Sequence, residues 1–158
     1  MMFSVVHEDQ VRAVLARARA EGWRELALIR PGWGRYELQG CGYAETLIRR
    51  GWPADRVFVV TGLPPGWVDE VAALTSLTAL DLRNCEADVD DVRRLTALSG
   101  LRSLGLGFNP VGGEAFVRVL ATLPELTALD LSLTKITSDT IRALASLTRL
   151  EALELTMC

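Results

Sequence analysis

Leucine recurs along the second half of the chain in a fixed register. The stretches LTALDLRNC (77–85), LRSLGLGFN (101–109), LTALDLSLT (126–134) and LEALELTMC (150–158) each carry Leu at their first, fourth and sixth positions and Cys, Asn or Thr at the ninth. Their starts are 24, 25 and 24 residues apart, and a further leucine stands three residues ahead of each block, at Leu74, Leu98, Leu123 and Leu147. Leucines at alternate positions, as in Leu80 and Leu82, give a short strand one apolar face. The segments that follow switch to helical spacing: Val92 and Leu95 recur as Val117 and Leu120, then as Ile141 and Leu144. Asp88, Gly112 and Thr137 or Ser138 stand where a helix N-cap is expected. One strand and one helix cannot bury their apolar faces alone. Stacked side by side they form a continuous core, with parallel strands along one surface.

The first half lacks this register. EDQVRAVLARARAEG reads as an amphipathic helix with Val11, Val14, Leu15 and Ala18 on one face and Gly22 as its stop. RELALI (24–29) reads as a strand, YAETLIRRG (43–51) as a second helix and DRVFVV (55–60) as a second strand. PPGWVDEVAAL (64–74) has proline at a helix start. Val68, Val71 and Leu74 fall 24 residues before Val92, Leu95 and Leu98. The spacing therefore predicts one domain over 1–158: an α/β cap at 1–54, a degenerate repeat at 55–76 joined directly to the regular ones, and four regular repeats at 77–158, the last incomplete. End repeats are expected to be atypical, since one of their faces meets solvent.

The pattern L-x-x-L-x-L-x-x-N/C/T, followed by an apolar eleventh position at Ala87, Val111 and Ile136, resembles the leucine-rich repeat family. LSLTKITSDTIRALASL is similar to its cysteine-containing and bacterial repeats of about 24 residues. The resemblance covers 74–158 and implies an α/β solenoid, with a parallel sheet on the concave face and helices on the convex face. It also implies binding to other proteins. Related bacterial repeats occur in effectors and ligase adaptors, although 1–73 carries no adaptor motif.

Charge and chemistry narrow the picture. A net charge of −3, with the acidity in the second half, argues against a general nucleic-acid binder. No apolar run reaches the length of a membrane span, and MMFSVVHEDQ meets charge too soon for a signal peptide. Three scattered cysteines are not a disulfide framework, which suits a cytoplasmic chain or a delivered effector. Arginine supplies nearly all the positive charge, a composition typical of bacterial GC-rich sequences.

His7 is the single histidine and opens the first helix, where a surface or capping role fits better than catalysis. There is no G-K-[ST], CxxC or HxxxH. EADVDD (86–91) lacks the alternating ligands of a calcium loop. The chain reads as non-catalytic, with no cofactor and no metal. Cys85 and Cys158 occupy ninth positions and suit ladder packing, while Cys41, in the glycine-rich RPGWGRYELQGCGY, is the better exposed thiol. All four tryptophans follow glycine; three suit core or cap packing, and Trp33 in that loop is the one suited to meeting a partner.

What remains is surface. Between the leucines, the fifth position supplies Asp81, Gly105, Asp130 and Glu154, the seventh Arg83, Gly107, Ser132 and Thr156, and the eighth Asn84, Phe108, Leu133 and Met157. On an exposed concave face these make an acidic column beside an apolar one. Asp81, Arg83, Phe108, Asp130, Leu133, Glu154 and Met157 are therefore expected to bind a protein partner bearing a basic patch. Gly105 and Gly107 would leave a notch beside Phe108 for a partner side chain. The alternative is self-association. Leu150, Leu153, Leu155 and Cys158 lie in a last strand without its helix, an open edge that a second copy could pair to form a dimer. A partner supplying the cap, or a longer parent protein, would also explain that edge, though the dimer is the preferred reading.

Overall fold

The computed structural model describes residues 3–32, 37–156 and 158, and for 37–41 the backbone alone. The chain runs β1 (Ser4–Val6), α1 (Glu8–Glu21), β2 (Glu25–Ile29), α2 (Glu37–Arg49), β3 (Val57–Val60), α3 (Trp67–Ala72), β4 (Ala79–Asp81), α4 (Val89–Leu95), β5 (Ser103–Gly105), α5 (Gly113–Leu120), β6 (Ala128–Asp130), α6 (Ser138–Leu144) and β7 (Ala152–Glu154). All seven strands join one parallel sheet in the order β1-β3-β2-β4-β5-β6-β7. The fold is an α/β leucine-rich-repeat-type stack. Among the described residues no helix is long and apolar enough to cross a membrane.

The leucine register is the strand register. Leu80, Leu104, Leu129 and Leu153 pair across β4 to β7. Their inward neighbours Leu77, Leu82, Leu101 and Leu106 have no exposed surface. The ladder continues past each short strand, with Leu82 N–H donating to Gly105 O (2.9 Å) and Asn84 N–H to Gly107 O (2.9 Å), and the same steps recur in the following repeats. α3 packs on α4, α4 on α5 and α5 on α6, all on the leucine side. Asp88 caps α4 by accepting from Asp91 N–H, and Thr137 caps α6 by accepting from Thr140 N–H. α6 departs from its spacing in one respect: Thr140 is fully buried and Ile141 is half exposed. The Thr140 hydroxyl accepts from Gly113 N–H at 2.9 Å, tying two repeats together at a place where isoleucine has no such partner.

Three of the four ninth-position side chains stitch their turn to the strand before it, while the Thr134 hydroxyl donates within its own repeat, to Leu131 O (2.6 Å). Asn109 Nδ2 donates to Leu82 O (2.6 Å) and Leu106 O (3.0 Å), while its Oδ1 accepts from Ala87 N–H (2.9 Å). The Cys158 thiol donates to Leu131 O, and Cys85 to Leu28 O, each at 3.1 Å. Both are free thiols, and burial pushes the Cys85 thiol well above its usual range.

The Cys85 contact exposes the main departure from the sequence reading. The strand preceding the regular repeats is β2, not β3. Leu26 pairs with Leu80, and Leu28 takes the place a sixth-position leucine takes elsewhere. The degenerate unit expected at 55–76 is thus split. Its helix, α3, stands in the stack against α4, but its strand, β3, lies beyond β2 between β2 and β1.

The physical reason is visible in β2 and β3 themselves. LALI and VFVV are apolar on both faces, and Leu26, Ala27, Leu28, Ile29, Val57 and Val60 have no exposed surface. Such strands need cover on both sides. α1 and α3 cover one side. On the other, Ala27, Ile29, Val57 and Val59 form a second core with Ala44 and Leu47 of α2. So α2 crosses to the face opposite every other helix, the face that carries Asp81 and Asp130.

Candidate interaction surface

Asp81 ends β4 one residue after the buried Leu80, so strand alternation turns it toward the concave side. There it meets Tyr43 of α2. The Tyr43 hydroxyl lies 2.7 Å from Asp81 Oδ2 and 3.2 Å from Asp130 Oδ2, two strands away. Gly105, on the intervening β5, makes this possible: a Cβ there would collide with Asp81 Oδ2. The remaining carboxylate oxygens serve the strand ends, Asp81 Oδ1 accepting from Arg83 N–H (3.2 Å) and Asp130 Oδ1 from Ser132 N–H (2.8 Å).

Asp81 is therefore not presented to solvent. It is 4% exposed, and burial pushes its carboxyl up to about 6, against the pull of the Tyr43 hydrogen bond and with the Asp130 carboxylate adding to the rise. Burial and the two carboxylates drive the Tyr43 phenol well above its usual range, so it stays protonated. The expected acidic column is in large part answered from within the chain. Arg50, near the end of α2, reaches Glu154 at 2.9 Å, an exposed pair that contributes about 0–1 kcal/mol.

The expected notch is filled from within as well. The Arg83 guanidinium lies 4.1 Å from the Tyr43 ring centroid and 5.0 Å from that of Phe108, and a Cβ on Gly107 would meet its Nη1 at 2.9 Å. Between α2 and the strands a cleft of about 110 Å³ remains, bounded by Tyr43, Arg50 and Trp52 on the helix side and by Asp130, Ala152 and Glu154 on the sheet side. Among the described residues no group of three His, Cys, Asp or Glu is arranged to hold a metal ion.

The eighth positions behave differently. Asn84, Phe108 and Leu133 all take left-handed backbone conformations, with φ of 57°, 60° and 60°. Asparagine tolerates this region, and Asn84 uses it: its Nδ2 donates to Arg30 O and Pro31 O, each at 3.2 Å, holding the chain that leaves β2. Phe108 and Leu133 repeat the backbone without the compensation. Phe108 is 40% exposed and Leu133 half-buried. Met157, the next of the column, and Trp33 lie outside the described residues, as does the side chain of Cys41.

The structure thus brings together Asp81, Arg83, Phe108 and Asp130 around Tyr43, leaves Leu133 on the rim, and ties Glu154 to Arg50. Tyr43 and Arg50 were not among the expected residues. Their signal was present, since Tyr43, Leu47 and Arg50 fall at i, i+4 and i+7 on one side of a helix. At the last strand, Leu153 on β7 is 40% exposed, while beyond its ends Leu150 and Leu155 are half-buried and Cys158 is exposed. The other tryptophans pack: Trp23 stacks on Phe58 at 5.9 Å with the Arg56 guanidinium 4.0 Å from its ring centroid, and Trp52 and Trp67 flank the two cores.

No protein-family model matches the chain, and none of the curated proteins matches it. Among solved structures, internalin C2 from Listeria monocytogenes is similar over 64% of this chain and 42% of its own, at 26% identity and a TM-score of 0.46. A second Listeria monocytogenes internalin, InlF, is similar over 90% of this chain and 50% of its own, at 20% identity and a TM-score of 0.36. The chain spans half or less of the length of these two proteins, both of them leucine-rich repeat proteins.

Proposed function

We propose that the chain is a protein-interaction module that meets its partner along the rim at the ends of the repeat strands, centred on Phe108 and Leu133, with Met157 in the same sequence column. The observation that supports this is the backbone at these positions. A large side chain in the left-handed region costs on the order of 1 kcal/mol, and 40% of Phe108 still faces solvent, apolar surface for a partner to cover. Phe108 is also steadied by the Arg83 guanidinium against its ring, which limits the entropy lost when a partner covers it. Asp130 and Glu154 border the rim and give a partner polar groups to meet. Asp81 acts from beneath as a support and not as a contact.

A photo-crosslinking amino acid placed at 108 should capture a defined partner in the native source. The same probe at Ser138, on the exposed helical side, should not. A partner captured equally from both positions, or displaced by neither Phe108→Ala nor Leu133→Ala, would sink the rim as the binding surface.

A further inference from the structure

Three oxygens stand in a row across the concave face: Asp81 Oδ2, the Tyr43 hydroxyl and Asp130 Oδ2, at 2.7 and 3.2 Å. Two hydrogen bonds need two protons between three oxygens, and the phenol brings one. With both carboxyls deprotonated, one of the two contacts sets lone pairs against lone pairs. With one proton added, Asp81 O–H donates to the Tyr43 oxygen and the Tyr43 O–H donates to Asp130, and both contacts are satisfied.

We propose that Asp81, Tyr43 and Asp130 share a two-proton chain that latches α2 to the repeat sheet, and that loss of one proton to solvent loosens the latch and widens the cleft beneath the helix. The inference does not depend on which partner the rim binds.

The surroundings favour holding the extra proton near neutrality. Asp81 is 4% exposed, and burial is the main cause that raises its carboxyl. The charged and titratable groups facing it are Tyr43 from α2 and Arg50 just past its end, Arg83 after β4, Asp130 from β6, Glu154 from β7 and the buried Cys85 thiol. Of the two cations, Arg50 is engaged by Glu154, and Arg83 lies between the Tyr43 and Phe108 rings, so neither forms a salt bridge with Asp81; the Arg83 charge and backbone N–H pull the carboxyl down but do not outweigh its burial. α2 is anchored apart from the latch, through Ala44 and Leu47 on β2 and β3. Release therefore loosens its hold on the repeats without detaching it from the molecule.

Asp81→Asn offers a direct test. Its Oδ1 keeps the bond from Arg83 N–H, while its Nδ2 supplies the second hydrogen at every pH. Asp130→Asn supplies that hydrogen from the other end and guards against a folding defect in the first variant. In the full chain, carbon NMR should follow the Asp81 carboxyl through a titration between pH 4 and 8. Hydrogen exchange of residues 42–50, corrected for intrinsic rates, should lose about fivefold or more in protection from pH 5 to 7.5. Either asparagine variant should flatten that profile, and 138–144 should not respond in any of the proteins. An Asp81 carboxyl ionised throughout, unchanged protection in the wild type, or the same loss in both variants overturns the latch.

Discussion

β2 and β3 on one side and β4 to β7 on the other belong to a single sheet but solve different burial problems. The repeat strands alternate a leucine with a small or polar residue and rest on helices from one side. Past Glu25, β2 and β3 are apolar throughout and lie between two layers. Where these two regimes meet, at β4, a carboxylate that a one-sided sheet would expose is buried by a helix belonging to the two-sided part. The chemistry of the concave face follows from that boundary rather than from the repeats alone.

Mutation should separate the two parts of the sheet. Removing buried bulk in the two-sided part should have the largest effect: Ile29→Ala should destabilise by about 2–5 kcal/mol in urea unfolding. The equivalent truncation on the last strand, Leu153→Ala, should cost about 1–2 kcal/mol, because Leu153 is 40% exposed. Equal costs would mean that the second core contributes little.

The boundary itself should be pH-sensitive. The Asp81 carboxyl is raised from 3.8 to about 6, so the folded chain binds more protons than the unfolded chain between these values. Its contribution is fully present below the unfolded value and is lost as pH rises through about 6. The loss is on the order of 3 kcal/mol and levels off above about pH 7. The difference in unfolding free energy between the wild type and Asp81→Asn, measured from pH 4 to 8, isolates this group from the exposed carboxylates.

Smaller effects should follow at the linking residues. Asn109→Ala leaves Ala87 N–H and Leu82 O without their side-chain partner and should cost about 1–3 kcal/mol. Gly105→Ala forces a Cβ against Asp81 and should cost about 1–3 kcal/mol through displaced packing, with exchange in α2 rising before exchange in α6. Arg50→Ala should change stability by under about 1 kcal/mol, as an exposed pair does.

Most of the repeat region could be read from the chain. Leucines at positions one, four and six fixed the strand face, Asp88 and Thr137 marked helix starts, and Asn109 marked the turn. Each is a local rule that acts within a few residues. The strand order could not be read in that way. The 24-residue echo between Val68 and Val92 is real for the helix, but it says nothing of where the strand before that helix lies. The relevant clue was compositional: uninterrupted VFVV and LALI beside the alternating LDL. The site was half legible for the same reason. Asp81, Arg83, Phe108 and Asp130 share a face by strand alternation, but Tyr43 reaches them from 38 and 87 residues away along the chain, through packing no local pattern encodes.

Asn84, Phe108 and Leu133 share a turn, and asparagine is the residue that suits its backbone. Phe108→Asn and Leu133→Asn should therefore relieve backbone energy that the present residues carry. Stability at these two places would then rise as apolar surface is lost from the rim, so the fold and the proposed contact make opposite demands on the same two dihedral angles.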